Sequence, residues 1–162
     1  MKKVYMDIRI TTWVMLALCL CWSTSAIAGD WMNWRGPFYN GSTDETNLPA
    51  TWSQTENIAW TADLPGAAAS TPIIAGDRIF LSGVDAAREM LVASCLDRKT
   101  GKRLWQHDIA EGLRRDRNSN YAASSPVTDG KVVVFFYANG DLKCFSVEGE
   151  EQWVRNIHKD YG

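Results

Sequence analysis

Residues Asp97 to Trp105, DRKTGKRLW, decide the reading of this chain. A polar turn carrying Thr100 and Gly101 separates the apolar run LVASCL from a segment that ends on a tryptophan. Alone, the pattern is one tight hairpin. A degenerate copy, SVEGEEQW from Ser146 to Trp153, follows another apolar run, LKCF, and Trp60 closes a similar segment, ENIAW. The tryptophans at 60, 105 and 153 are 45 and 48 residues apart. Internal periods of roughly 40 to 50 residues are the mark of propeller blades.

Working outward from the turn, each copy resolves into four short strands joined by polar turns. In the first, strands are predicted at 70–74, 78–82, 90–96 and 102–109, with a loop at 84–89. In the second they fall at 124–127, 132–137, 142–146 and 152–156. Asn139-Gly140 predicts a two-residue hairpin with a primed turn. Four antiparallel strands make one blade, which sets blades at 68–109 and 122–157. Asn57 to Leu64, NIAWTADL, alternates as a further outer strand stopped by Pro65-Gly66. Residues 29–56 are rich in turn formers, Gly36-Pro37 and Asn40-Gly41 among them, and read as an irregular N-terminal segment pinned by its aromatics.

The chain has 162 residues, 46% hydrophobic and 22% charged, with a formal net charge of -2. That balance is globular and gives no polyelectrolyte surface for nucleic acid. Residues 1–28 read as a secretory signal peptide, with Lys2, Lys3 and Arg9, then TTWVMLALCLCW, then Ala26-Ile27-Ala28 as a small-x-small cleavage site. The apolar core is too short to span a bilayer, so no stable membrane span follows cleavage. Cys19 and Cys21 are each preceded by leucine, which does not make a lipobox. Losing Lys2, Lys3, Arg9 and Asp7 takes away +2 and leaves a mature chain of charge -4. Cys95 and Cys144 then remain. They hold equivalent places in successive copies, so they read as buried thiols and not as a disulfide.

The run Cys95 to Trp105 resembles the tryptophan-docking motif of PQQ-like (pyrrolo-quinoline quinone-like) β-propeller repeats. WRGP at 34–37, AWTADLPGAAASTPIIAGDRIFLS and NYAASSPVTDGKVVVFF are similar to secreted, planctomycete-type members of that family. The resemblance implies an all-β, quinoprotein-like propeller, here incomplete. It consists of two blades and an outer closure strand at 57–64, as in an N-terminal fragment whose residues 29–162 alone would self-associate or order only in part. It also implies structural docking roles for Trp60, Asp97, Thr100, Gly101, Trp105, Gly149 and Trp153. The tryptophan packs flat on the glycine turn of a neighbouring blade. Ser146 in place of aspartate predicts looser docking in the second copy.

Two functions are compatible with such a chain. The first is an exported, non-catalytic binding or scaffold module with a protein partner at the periplasm or cell envelope, similar in fold to an outer-membrane assembly lipoprotein. It needs no catalytic residues, metal or cofactor. The second is the N-terminal part of a PQQ-dependent quinoprotein dehydrogenase, which holds PQQ and calcium on the propeller axis. Its adjacent cysteine pair is missing, and Asp77, Asp85 and Asp129 read as turn residues. Arg114, Arg115 and Arg117 read as a solvated loop between blades beside Glu111 and Asp116. Thr100-Gly101-Lys102 lacks the glycine that a phosphate loop needs at position 96. His107 and His158 are expected just past the outer strands, Glu150-Glu151 in a hairpin turn, and no Cys or His spacing suits zinc.

Overall fold

The structure, a computed structural model, describes residues 29–46, 48–112, 115–116 and 119–162, so residues 1–28, expected as a signal peptide, lie outside the described residues. Polar turns cut the apolar runs into two four-stranded antiparallel sheets. The first is β1 (Ile73–Ala75), β2 (Arg78–Asp85), β3 (Met90–Asp97) and β4 (Arg103–Glu111), paired in that order. A two-stranded hairpin, β5 (Arg115–Asp116) and β6 (Ser119–Asn120), interrupts what reads in sequence as a plain loop. The second sheet is β7 (Val127–Thr128), β8 (Val132–Phe136), β9 (Asp141–Ser146) and β10 (Glu151–Asn156). One short helix, α1 (Ile157–Tyr161), follows, capped at its start by the Asn156 side chain. These sheets are two blades of an incomplete β-propeller, whose first strands β1 and β7 touch each other.

β3 is buried along almost its whole length because both faces of blade one are covered. Leu91, Ala93 and Cys95 face blade two and join Ile73, Phe80, Val133, Phe135, Tyr137 and Phe145 in one core shared by the two sheets. On the other face, Ser94 and Leu96 lie under the stretch 62–65. That stretch overlaps the segment 57–64 expected as a closure strand, whose expected partner, the last blade of the ring, is not among the described residues. No ladder forms at 57–64 among the described residues, and residues 62–65 lie across the face of blade one.

Three further details differ from the sequence reading. β2 extends through Val84 and Asp85, which pair with Leu91 and Met90 and shorten the expected 84–89 loop. At Asn139-Gly140 only the glycine has positive φ, at 89°, and Gly140 N–H donates to the Tyr137 carbonyl. The hairpin is therefore a three-residue loop with its glycine in the left-handed position, not a primed two-residue turn. Finally, the N-terminal segment carries one ladder element. Trp31 exchanges two 2.8 Å backbone hydrogen bonds with Ile74 of β1, and the Met32 carbonyl accepts from Thr128 N–H of β7.

Side chains also tie blade to blade. The wholly buried Tyr137 of the second sheet donates its hydroxyl to the Val92 carbonyl of the first at 2.7 Å, and Ser82 Oγ donates to the Ser124 carbonyl. Tyr137→Phe removes one buried donor at constant shape. It is expected to lower stability by about 1–2 kcal/mol, read as a lower urea midpoint with unchanged slope. An unaltered midpoint would show that the bond contributes nothing.

Candidate functional site

The turns of both copies are built alike, and each receives an indole. In blade one the Asp97 carboxylate accepts from the N–H groups of Lys99 and Thr100 and from the Thr100 hydroxyl, the last two at 2.7 Å. This closes the loop and leaves Gly101 at φ 69°. Trp60 lies on Gly101, and its Nε1 donates to the Arg98 carbonyl at 2.9 Å. In blade two Ser146 Oγ accepts only from Glu150 N–H, and Gly149 stands at φ 100°. Trp105 lies on Gly149, and its Nε1 donates to the Val147 carbonyl at 3.1 Å.

Position and register explain why the indoles arrive there. Trp105 pairs across the ladder with Cys95, and Trp153 pairs with Cys144, each beside a register shift. A bulge turns the strand locally and re-aims its side chain. Trp105 thereby enters an aromatic cluster, with ring centroids 5.9 Å from Phe80, 5.8 Å from Phe145 and 6.2 Å from Phe135. Trp153 holds the same place in β10 but is 42% exposed, and no described residue supplies a glycine turn for it. Of the seven residues expected in docking, the structure thus joins Trp60 with Asp97, Thr100 and Gly101, and Trp105 with Gly149, and leaves Trp153 on the surface.

Sequence reasoning missed His107. It lies inside β4, not past the strand end, stacked on Phe145 at 4.6 Å and an interplanar angle of 3°. Its Nε2 is 2.7 Å from the Gly149 carbonyl, which calls for the tautomer protonated at that nitrogen. A histidine two positions after a docking tryptophan on a strand shares its face, and that period was the available signal. His158 sits in α1 with its ring over Gly140.

The remaining candidates are engaged locally. Asp77 pairs with Lys99, Asp85 accepts from two backbone N–H groups and from Arg88, and Asp129 accepts from Lys131 and Val132 N–H. Arg88 also grips Asp108 through two bonds of 2.7 and 2.8 Å. These hydrogen bonds hold the carboxyls of Asp85, Asp108 and Asp129 below the usual range. Cys95 and Cys144 are free thiols. Burial pushes Cys95 up to about 12 and Cys144 upward, so neither is a ready nucleophile. Among the described residues no three His, Cys, Asp or Glu side chains gather as metal ligands. Arg114 and Arg117 lie outside the described residues, and Arg115 enters only through the backbone of β5. Glu150 is exposed in its turn, while Glu151 opens β10 and pairs with Lys143 at 3.8 Å.

The Thr100 hydroxyl and N–H lower the Asp97 carboxyl from its ordinary range. A carboxyl depressed in the folded state contributes stability in full above its unfolded value near 4, and loses it as pH falls through the depressed one. Asp97→Asn should therefore be less stable than the parent at pH 7, with the gap closing towards pH ~3. A gap that stays constant in urea titrations at the two pH values would contradict this role.

The profile of the family described as "Outer membrane protein assembly factor BamB" matches residues 39–162. The chain belongs to that family of PQQ-like β-propellers. Among solved structures, BamB from Moraxella catarrhalis is similar at 19% identity and a TM-score of 0.45, covering 60% of this chain and 26% of that one. The chain therefore spans about a quarter of the length of that BamB. No curated protein matches it.

Proposed function

We propose that this BamB-family chain belongs to an exported, non-catalytic propeller that holds a protein partner at the cell envelope. The observation that carries the reading is the family match over residues 39–162, under a description that names an assembly factor of the outer membrane. Residues 1–28 support export, because they have the charge, length and cleavage pattern of a secretory leader. No helix among the described residues is long and apolar enough to cross a membrane. Trp34, Phe38 and Trp52 are all exposed, and aromatic anchors of this kind dominate the energetics of protein interfaces.

A PQQ and calcium site has little to rest on in these two blades. Asp77 and Asp129, in the turns that follow the first strands, already have a lysine or two backbone N–H groups as partners. The backbone of β1 at Ile74 is paired with Trp31. Both thiols are buried.

Two measurements test the reading. The periplasmic fraction should contain a mature chain beginning at Gly29, and an uncleaved cytoplasmic product would end the export claim. A photo-crosslinking side chain at Trp52 of the full chain, in its native host, should give one reproducible protein adduct, and the same group at Lys102 should give none. Equal labelling at both positions, or none at Trp52, would remove the partner claim from this surface. Oxidation of alcohols by the purified chain after addition of PQQ and calcium would replace it with the dehydrogenase.

A further inference from the structure

The loop from Asn33 to Gly41 is held rigidly by its own bonds. Arg35 N–H donates to Asn33 Oδ1, Arg35 Nη2 to the Asn40 carbonyl, Gly41 N–H to the Arg35 carbonyl and Tyr39 N–H to the Gly36 carbonyl. Gly36 packs on the Trp31 indole, which is pinned to β1. This scaffold nevertheless leaves Trp34 64% and Tyr39 73% exposed, and holds Tyr39 at φ 56°, a region that non-glycine residues avoid. Rigid backbone spent on presenting aromatic rings to solvent, at a strained position, is the signature of a binding element.

Between this loop and the start of β7 lies a cleft of about 290 Å³, lined by Asn33, Trp34, Arg35, Tyr39, Ser125 and Val127. It is at the lower edge of small-molecule sites, which run from about 300 to 1,000 Å³, and has room for one ring rather than a chain. The only charge on its walls is the Arg35 guanidinium, which lies 5.6 Å from the Trp34 ring centroid. Among the described residues Arg78, Arg88, Arg98 and Arg155 each face a carboxylate, while Arg35, like Arg103, donates to an uncharged acceptor, here the Asn40 carbonyl.

We propose that this cleft binds an acidic pyranoside, a uronic-acid residue of a polysaccharide. Pyranose C–H faces meet the electron-rich faces of Trp34 and Tyr39. The carboxylate takes the free guanidinium edge of Arg35. The Asn33 amide and the Ser125 hydroxyl, whose oxygen already accepts from Thr71 N–H, are left to donate to sugar oxygens. The cleft shares Trp34 with the aromatic surface offered to a partner, but its test reads saccharide binding and not the adduct at Trp52, so the two readings fail separately.

The test is calorimetric titration of the full chain with trigalacturonate and with its methyl ester, which removes the charge and keeps the rings. Saturable binding of the acid is expected, weaker by about tenfold or more for the ester. Trp34→Ala should weaken the acid by a similar factor, and Arg35→Gln should erase the preference for acid over ester. Arg35→Lys, which keeps the charge, should retain that preference if the loop is intact. No saturation by trigalacturonate up to about 10 mM, equal affinity for acid and ester, or an undiminished Trp34→Ala variant would overturn the proposal. So would equally effective competition by acetate, which marks a bare anion site, or tighter binding of a proline-rich peptide.

Discussion

Trp105→Ala is expected to destabilise the chain by about 3 kcal/mol, a fall in Tm of roughly 10 °C. The indole fills the joint between the blades, touching Phe80 on one side and Phe135 and Phe145 on the other. Its Nε1 also satisfies the Val147 carbonyl. The figure sits at the low end for a tryptophan truncation because the residue is only half-buried. Trp153→Ala, in the same register position of β10 but 42% exposed, should cost less than about 1 kcal/mol. Thermal unfolding of the two variants decides the matter. Equal losses would mean that position in the blade, and not ring burial, sets the effect.

Gly149→Ala attacks the same joint from the other side, and about 2–3 kcal/mol is expected. Part is backbone, since φ 100° suits glycine alone. Part is contact, since a Cβ there would stand 2.8 Å from Cγ of Trp105 and push the indole off its seat. The two parts separate in a double-mutant cycle. With Trp105 already removed the contact disappears, so a coupling of about 1–2 kcal/mol should appear. Gly76→Ala gives the comparison, because Gly76 has positive φ, 56°, but nothing within 4 Å of the added methyl. Additive losses at Gly149 and Trp105 would mean that the two residues do not meet.

The four-stranded blades were legible because their turns are spelled out locally. Asp77, Gly101, Asp129 and Gly140 each mark a reversal, and the apolar runs between them have strand length. The partnership of tryptophan with glycine turn came through its period. What escaped depends on neighbours far away in sequence. Residues 57–64 have strand alternation, yet their place across the face of blade one is set by residues about 30 to 45 positions downstream. The Trp31 bridge to Ile74 is a single pairing and has no periodicity to betray it. The Tyr137 bond to Val92 spans 45 residues and is written in neither local pattern. The cleft beside Trp34 joins positions about 90 residues apart, 34 with 125–127, which no local window can connect.

The indole joints also impose an order in time. Trp60 finds its seat on Gly101 and Trp105 on Gly149, so each ring waits for a turn 41 or 44 residues downstream. At synthesis rates of about 5–20 residues per second, that is a delay of roughly 2–9 seconds per joint. During this interval a finished blade carries an unlatched tryptophan. A translation pause placed just before a glycine turn would prolong that open period, and a pause just after it would end on a latched pair.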